Sequence, residues 1–219
     1  MKSTVGHTAA PQHEKLYDVP DIDVPRKPVY EFFKRLFDIV FSLCALILCA
    51  LPMLILSIMI RLDSEGPAIY KQERLGKNGK PFFVYKLRSM YMDAEFFGVQ
   101  WAAENDSRCT RIGGFLRKSR LDELPQFWNI LIGQMSLVGP RPERPFFYGE
   151  FEKTIHGFSH RLKVRPGLTG LAQVNGGYDL LPEEKIVYDM RYIATRSLRL
   201  DACCIFKTVS VLFNHRGAR

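Results

Sequence analysis

The sequence predicts an α+β protein, mainly helical: a re-entrant membrane helix-break-helix, then a compact cytosolic domain with a small β-hairpin and interfacial amphipathic helices. Three observations carry that prediction. Ile39 through Ile60 is a run of 22 residues without a charge, and about 20 helical residues cross a bilayer core. Asn78-Gly79 sits between two runs rich in β-formers, the strongest short hairpin signal. Elsewhere apolar residues recur at helical spacing, strands are few, and no βαβ alternation supports a doubly wound sheet.

Residues 1–29 carry Pro11, Pro20, Pro25 and Pro28 among His, Asp and Lys, with no hydrophobic period. They are expected to form a flexible tail or linker. Residues 30–61 form the membrane helix. The apolar run starts too late and is too long for a cleavable signal peptide. Lys34 and Arg35 precede it, and Arg61, Lys71, Arg74, Lys77 and Lys80 follow it. Positive charge on both flanks gives the positive-inside rule no side to favour, and a helix that enters and leaves on one face satisfies both ends. Pro52 removes a backbone hydrogen bond and clashes with the carbonyl of Leu48, so a kink is expected there. A kinked span is the competing topology. Asp38, at the membrane boundary, calls for a partner such as Arg35 or a headgroup amine.

Residues 62–219 form the cytosolic domain. It opens with the hairpin, Ile69–Leu75 and Pro81–Leu87 about the turn Lys77–Lys80. Gly76-Lys77-Asn78-Gly79-Lys80 lacks the spacing and following helix of a phosphate loop. Residues 91–136 are expected to be mainly helical, with basic and apolar faces alternating from Arg111 to Ile132 and an apolar cluster of Phe127, Trp128, Ile130, Leu131 and Ile132 that suits either a membrane surface or ordinary core packing. Two Pro/Gly loops follow, Gly139–Glu143 and Arg165–Gly170, and residues 182–212 are again helical. The net charge of +8 favours an anionic partner: lipid headgroups, nucleic acid or a phosphorylated substrate. Five cysteines without a C-x-x-C pair argue against a disulfide scaffold or structural zinc. His156 and His160 have helical metal-ligand spacing, but Gly157 lies between them and no acid completes the set.

The chemistry concentrates around Asp122 and Glu123, which adjoin Arg117, Lys118 and Arg120. Neighbours on a regular helix point about 100° apart, so the two acids share a site only if the helix is distorted. Pro125 supplies a reason, because it disfavours the α region at Leu124. Two carboxylates among cations suit a divalent ion and phosphates, or equally a solvated ion-pair patch. Arg141 sits between Pro140 and Pro142, which restrict its backbone and preset a bidentate phosphate clamp. Arg88, at the end of the hairpin, could supply a second.

Several motifs occur in a fixed order: Phe37-Asp38-Ile39-Val40, Pro52, Gly66 through Gly76, Tyr85-Lys86-Leu87-Arg88-Ser89-Met90, Leu121-Asp122-Glu123-Leu124-Pro125-Gln126, Met135 through Pro142, and Val164 through Gly170. In these the chain, over about residues 30 to 212, resembles the catalytic core of the monotopic polyprenyl-phosphate phosphoglycosyl transferases, the bacterial sugar transferase family. The resemblance implies transfer of a sugar-1-phosphate from a UDP-sugar to polyprenyl (undecaprenyl) phosphate with release of UMP. It implies a ping-pong mechanism with Asp122 as nucleophile, Glu123 as ligand of a magnesium ion, and Arg141 as phosphate binder, with Arg88 and Arg117 as helpers. It further implies a re-entrant helix, a location on the cytoplasmic face of the bacterial plasma membrane, a role in exopolysaccharide or other glycoconjugate synthesis and, from larger members, a homodimer. Leu51 stands where the family often has Ser before the kinking proline, which bears on the kink. The alternative is a non-catalytic, membrane-anchored binder of acidic lipid or nucleic acid. The mixed charge signs and the lack of a nucleic-acid module disfavour it.

Overall fold

The computed structural model describes residues 17–96, 98, 106–177 and 180–214. The first element after the strap described below is α1, Pro28–Asp63, 36 residues in one uninterrupted helix. Pro28 occupies its first turn, where a missing N–H costs nothing, Glu31 lies at the positive end and Arg61 at the negative end. The expected helix-break-helix is therefore corrected. Pro52 lies inside a continuous helix, and the element begins and ends two residues beyond the predicted 30–61.

Length and composition suffice for α1 to cross a membrane. Its middle is bare of protein: Ile47 is 67% exposed and Leu48 77%. Exposing leucine and isoleucine this fully to water forfeits about 1.5–3 kcal/mol for each side chain, so the segment calls for lipid. Both ends of α1, by contrast, dock on the same globular body. Near its start, Lys34 Nζ donates to the Val138 carbonyl and pairs with Asp201, each at 2.9 Å. Asp38 is buried and accepts from the Leu137 N–H at 2.9 Å and the Ser136 hydroxyl at 3.1 Å. These partners replace the expected arginine or headgroup amine. Near its end, Leu56 and Ile60 pack with Leu87 and Leu116, and Asp63 accepts from the Ile112 N–H.

Two arginines terminate helices of this region. Arg35 donates to the carbonyls of Ile130 and Leu131 at 2.7 and 2.8 Å, closing the helix α3, Gln126–Leu131. Arg88 is buried and wraps the end of α1, donating to the carbonyls of Ser64, Glu65 and Pro67 at 2.7–2.8 Å and to the Ser64 hydroxyl at 2.9 Å. Helix ends leave carbonyls without partners, and a guanidinium satisfies several at once.

The hairpin has the predicted bounds. Strands β2, Ile69–Leu75, and β3, Pro81–Leu87, pair antiparallel from Ile69↔Leu87 to Leu75↔Pro81. Asn78 and Gly79 adopt φ of 59° and 72°, the left-handed turn conformation that favours Asn and Gly. Of the region expected to be mainly helical, 91–136, residues 97 and 99–105 lie outside the described residues, and the rest contains α2, Arg111–Ser119, capped by the Thr110 hydroxyl, and the short α3.

Two parallel pairs were not expected. Strand β4, Ser136–Val138, pairs with β6, Gly167–Thr169. A Cβ at Gly167 would collide with the backbone of Gly139, so glycine permits this approach. Strand β1, Tyr17–Asp18, pairs with β5, Ile155–His156, directly after α4, Pro145–Thr154. Residues 17–27 thus form a strap rather than the free tail predicted for 1–29. Ile22 and Val24 pack on the core, Asp21 pairs with Lys163, and Lys27 donates to the Arg196 carbonyl at 2.9 Å. The part of that prediction covering residues 1–16 lies outside the described residues.

The short α5, Leu171–Val174, and the long α6, Pro182–Thr195, and α7, Leu198–Asn214, complete the chain as the C-terminal pattern predicts. They enclose the main core, where Phe82 and Val84 of β3 meet Ile130, Met135, Val138, Tyr192 and Ile193.

Replacing Arg88 with Met keeps the volume and removes the cap. We expect a loss of about 3 kcal/mol and a melting temperature in detergent lower by roughly 6–12 °C. A thermal melt within about 1 °C of the parent would refute the capping role.

Candidate active site

The site begins with a backbone irregularity. Arg120, which ends α2, has φ of 57° and turns the chain into a 3-10 segment, Leu121–Glu123. The distortion expected from Pro125 therefore lies upstream of it. Leu124 keeps helical angles, φ −54° and ψ −39°, and Pro125 simply opens α3. The reversal at Arg120 places both Asp122 and Glu123 at the edge of a cleft of about 330 Å³.

Strand β3 supplies the facing group. Lys86 Nζ lies 3.6 Å from Asp122 Oδ2 and 3.1 Å from Glu123 Oε1, so one ammonium serves both acids. Arg141 Nη2 donates to Glu123 Oε1. Lys86 itself is held by the main chain around it. The buried Asn129 of α3 accepts from the Tyr85 N–H at 3.1 Å and donates to the Phe83 carbonyl at 2.7 Å, pinning β3 to α3.

The two neighbouring carboxyls are driven apart in acidity. Burial raises the pKa of Asp122, and the charges of Lys86, Arg141 and Arg117 offset only part of that. Burial would raise Glu123 too, but Arg141 and Lys86 outweigh it and hold that carboxyl well below the usual range. Paired acids with divergent environments mark divergent roles. Asp122 is the more basic carboxyl of the two, and Glu123 the more acidic.

Among the described residues, ten cationic side chains line the cleft against four carboxylates, which suits a ligand of several negative charges. Arg117 lines the cleft, reaches Cys109, and acts on Asp122 through its charge. Arg88 is the departure. It borders the cleft, but its guanidinium is committed to the end of α1, so the structure gives it a capping role in place of the expected phosphate contact. His156 lies in β5 and His160 approaches Asp21 at 4.0 Å, and no group of three metal-ligating side chains occurs among the described residues. Pro52 is on α1, away from these residues in sequence and absent from the cleft lining.

Sequence reasoning missed Lys86 and Asn129. A signal for the first was present: Phe82 and Val84 point inward from β3, and Lys86 continues that alternate register. A lysine where a third apolar residue is due needs a buried acid. Asn129 gave none beyond being polar inside an apolar cluster.

The bacterial sugar transferase family model matches residues 29–215. A UDP-N-acetylgalactosamine-undecaprenyl-phosphate N-acetylgalactosaminephosphotransferase of Aeromonas hydrophila is 43% identical over 195 residues, covering 88% of this chain and 46% of its own. A UDP-glucose:undecaprenyl-phosphate glucose-1-phosphate transferase of Klebsiella pneumoniae is 43% identical over 205 residues, covering 91% of this chain and 44% of its own. This chain thus spans less than half the length of those two relatives. An exopolysaccharide production protein of Rhizobium leguminosarum bv. phaseoli is 42% identical over 185 residues, covering 80% of this chain and 92% of its own.

Removing the Lys86 charge should push Asp122 further up, because the largest opposing influence on its burial is lost. In Lys86→Met protein carrying 13C-carboxyl aspartate, the Asp122 titration midpoint is expected at higher pH than in the parent. An unmoved or lowered midpoint would show that Lys86 does not hold the acid ionised.

Proposed function

Because the chain belongs to the bacterial sugar transferase family, we propose that it transfers a sugar-1-phosphate from a UDP-sugar to undecaprenyl phosphate at the cytoplasmic face of a bacterial plasma membrane. The observation that carries the proposal is the convergence of Asp122, Glu123, Lys86 and Arg141 in one cation-lined cleft. The names of the Aeromonas and Klebsiella relatives differ in the sugar and agree on undecaprenyl phosphate. What they share is phosphoryl chemistry, which is what this set of side chains addresses. A bare binder of acidic lipid or nucleic acid has no use for a buried, basic carboxyl facing the cations.

The mechanism is a double displacement. An oxygen of Asp122 attacks the phosphorus that bears the sugar. The bond from that phosphorus to the bridging oxygen breaks, and UMP leaves with the electron pair. The sugar phosphate remains on Asp122 as an acyl phosphate. An oxygen of the polyprenyl phosphate then attacks the same phosphorus, the bond to Asp122 breaks, and the carboxylate is regenerated. Splitting the transfer gives each step an anionic nucleophile and a stabilised leaving group. Burial strips water from Asp122 and makes its carboxylate a better nucleophile, while the Lys86 ammonium favours the ionised form. Arg141 and Arg117 stabilise charge on the transferred phosphoryl oxygens.

A magnesium ion bound beside substrate phosphates takes only one or two protein carboxylates. Glu123, ionised and in the cleft, fits that donor set, and it would hold the ion there. The ion, when bound, would neutralise charge on the diphosphate.

Re-entry of α1, with the bend at Pro52 that it requires of a continuous helix, is supported by its docking. Lys34, Arg35 and Asp38 at one end, and Leu56, Ile60 and Asp63 at the other, bind the same globular body. A helix spanning the bilayer would place its ends about 30 Å apart on opposite sides, where one body cannot meet both. The apolar residues between these ends are left to the lipid of one leaflet. The homodimer implied by larger family members is a further part of the proposal.

Four experiments test this reading. Protein in detergent with a UDP-sugar, magnesium and polyprenyl phosphate should release UMP, and donor alone should leave a phosphosugar mass on the peptide containing Asp122. Asp122→Asn should abolish the adduct and lower turnover by about 10³-fold or more; unchanged turnover would remove Asp122 from the nucleophile's role. The rate should fall on the acid side as Asp122 is protonated, with the midpoint above the ordinary carboxylate value because burial raises it. A midpoint at or below that value would contradict the assignment. For topology, cysteines at positions 23 and 77 in a cysteine-free background should label from the same side of sealed vesicles; labelling from opposite sides would exclude re-entry.

A further inference from the structure

The loop that carries Arg141 is held in an unusual way. Pro140 and Pro142 have no N–H to donate, so the segment must be fixed through its carbonyls. Four successive carbonyls are taken. Pro140 accepts from the Gly167 N–H at 2.9 Å, Arg141 from Arg161 Nη2 at 2.9 Å, Pro142 from Arg74 Nη1 at 3.0 Å, and Glu143 from the Leu75 N–H at 3.2 Å. Two of these donors are strand backbone. The other two are guanidinium groups brought in from elsewhere, and the one on Arg141 itself is the more deeply placed.

Arg161 lies in the 3-10 segment Phe158–Lys163 and is only 2% exposed. Its Nη2 lies 2.6 Å from Asp189 Oδ2 of α6, which is equally buried. Its guanidinium carbon is 4.9 Å from the Phe158 ring centre and 5.9 Å from that of Tyr148. Arg161 borders the cleft, but its Nη2 is committed to Asp189 and to the Arg141 carbonyl. A buried ion pair is also a poor way to gain stability, since apolar residues of the same volume commonly do as well or better. What the pair does deliver is a rigid donor under the peptide of Arg141, whose side chain meets Glu123.

We infer that Arg161, oriented by Asp189, is a positioning residue for the transfer reaction, setting the Arg141 guanidinium against Glu123 and the donor phosphates through the Arg141 carbonyl. This rests on the proposed phosphoryl transfer. A misplacement of about 1 Å in a phosphate clamp is enough to cost on the order of 10²-fold in rate.

The test is a double-mutant cycle on folded protein. Arg161→Lys keeps the charge and loses the planar fork. It should lower kcat about 10- to 100-fold in the parent, yet by no more than about 3-fold in an Arg141→Ala background, where no clamp remains to be set. Equal losses in both backgrounds, or full activity in the parent, would overturn the inference, since a purely structural role predicts one or the other. Should Arg161→Lys fail to fold, Asp189→Asn is put through the same cycle with the same two readings. UMP affinity measured by calorimetry on the same variants gives a second cycle that does not need turnover. A parent protein that binds UMP non-additively with Arg141 and Arg161 but releases none from UDP-sugars would defeat the transferase reading while leaving the positioning role standing.

Discussion

Two adjacent carboxyls, Asp122 buried and Glu123 largely so, lie side by side, and the rest of the molecule is arranged around making that tolerable. An unpaired buried carboxylate costs several kcal/mol and ordinarily takes up a proton instead. Here Lys86 approaches both acids and Arg141 takes the second. The cations are shared unequally. Glu123 has a guanidinium and an ammonium, while Asp122 has the longer of the two contacts to Lys86. That inequality separates their basicities, and it gives neighbouring residues distinct chemical tasks without distance between them.

Each cation is in turn held by a device that has nothing to do with charge on the acids. Lys86 depends on β3 being locked to α3 by the Asn129 amide. Arg141 depends on a loop whose prolines prevent self-bonding and whose carbonyls are held from four directions. Preorganisation of this sort is what electrostatic catalysis requires, since groups already oriented need not reorganise as charge develops.

How much of this could be seen in the sequence follows from how local each signal is. The hairpin was legible to the residue because Asn78-Gly79 fixes the turn and the flanking residues alternate. The apolar helix was legible because Ile39–Ile60 has no charge, and the acids because Asp122-Glu123 stands among arginines. The uninterrupted course of α1 through Pro52 was not, since the loss of one hydrogen bond bends a helix without having to end it. Nor were β4 and β6: three-residue strands in Pro/Gly loops, paired across about thirty positions, leave no period to detect. The strap at 17–27 reads as linker by composition, because it binds through main-chain pairing and polar contacts rather than an apolar stripe. Arg88 was misassigned for a plain reason. A conspicuous arginine near a phosphate-type site and an arginine that caps a helix look the same in one dimension, and only the carbonyls of Ser64, Glu65 and Pro67 tell them apart.

Those carbonyls also change what the membrane helix is for. Arg88 lies two residues beyond Lys86, just past the end of the same strand, and grips the chain where it leaves α1. At the other end of α1, Arg35 closes α3, whose Asn129 fixes the strand just before Lys86. Lys86, which faces Asp122, is therefore suspended between two attachments to the apolar helix. An anchor joined by a flexible linker would concentrate the protein at the surface and do nothing more. On the proposed function, a helix bolted at both ends to the strand that carries Lys86 would fix the height and tilt of the cleft relative to the bilayer, and an acceptor phosphate at the headgroup level would meet an acid whose depth is set by that same helix.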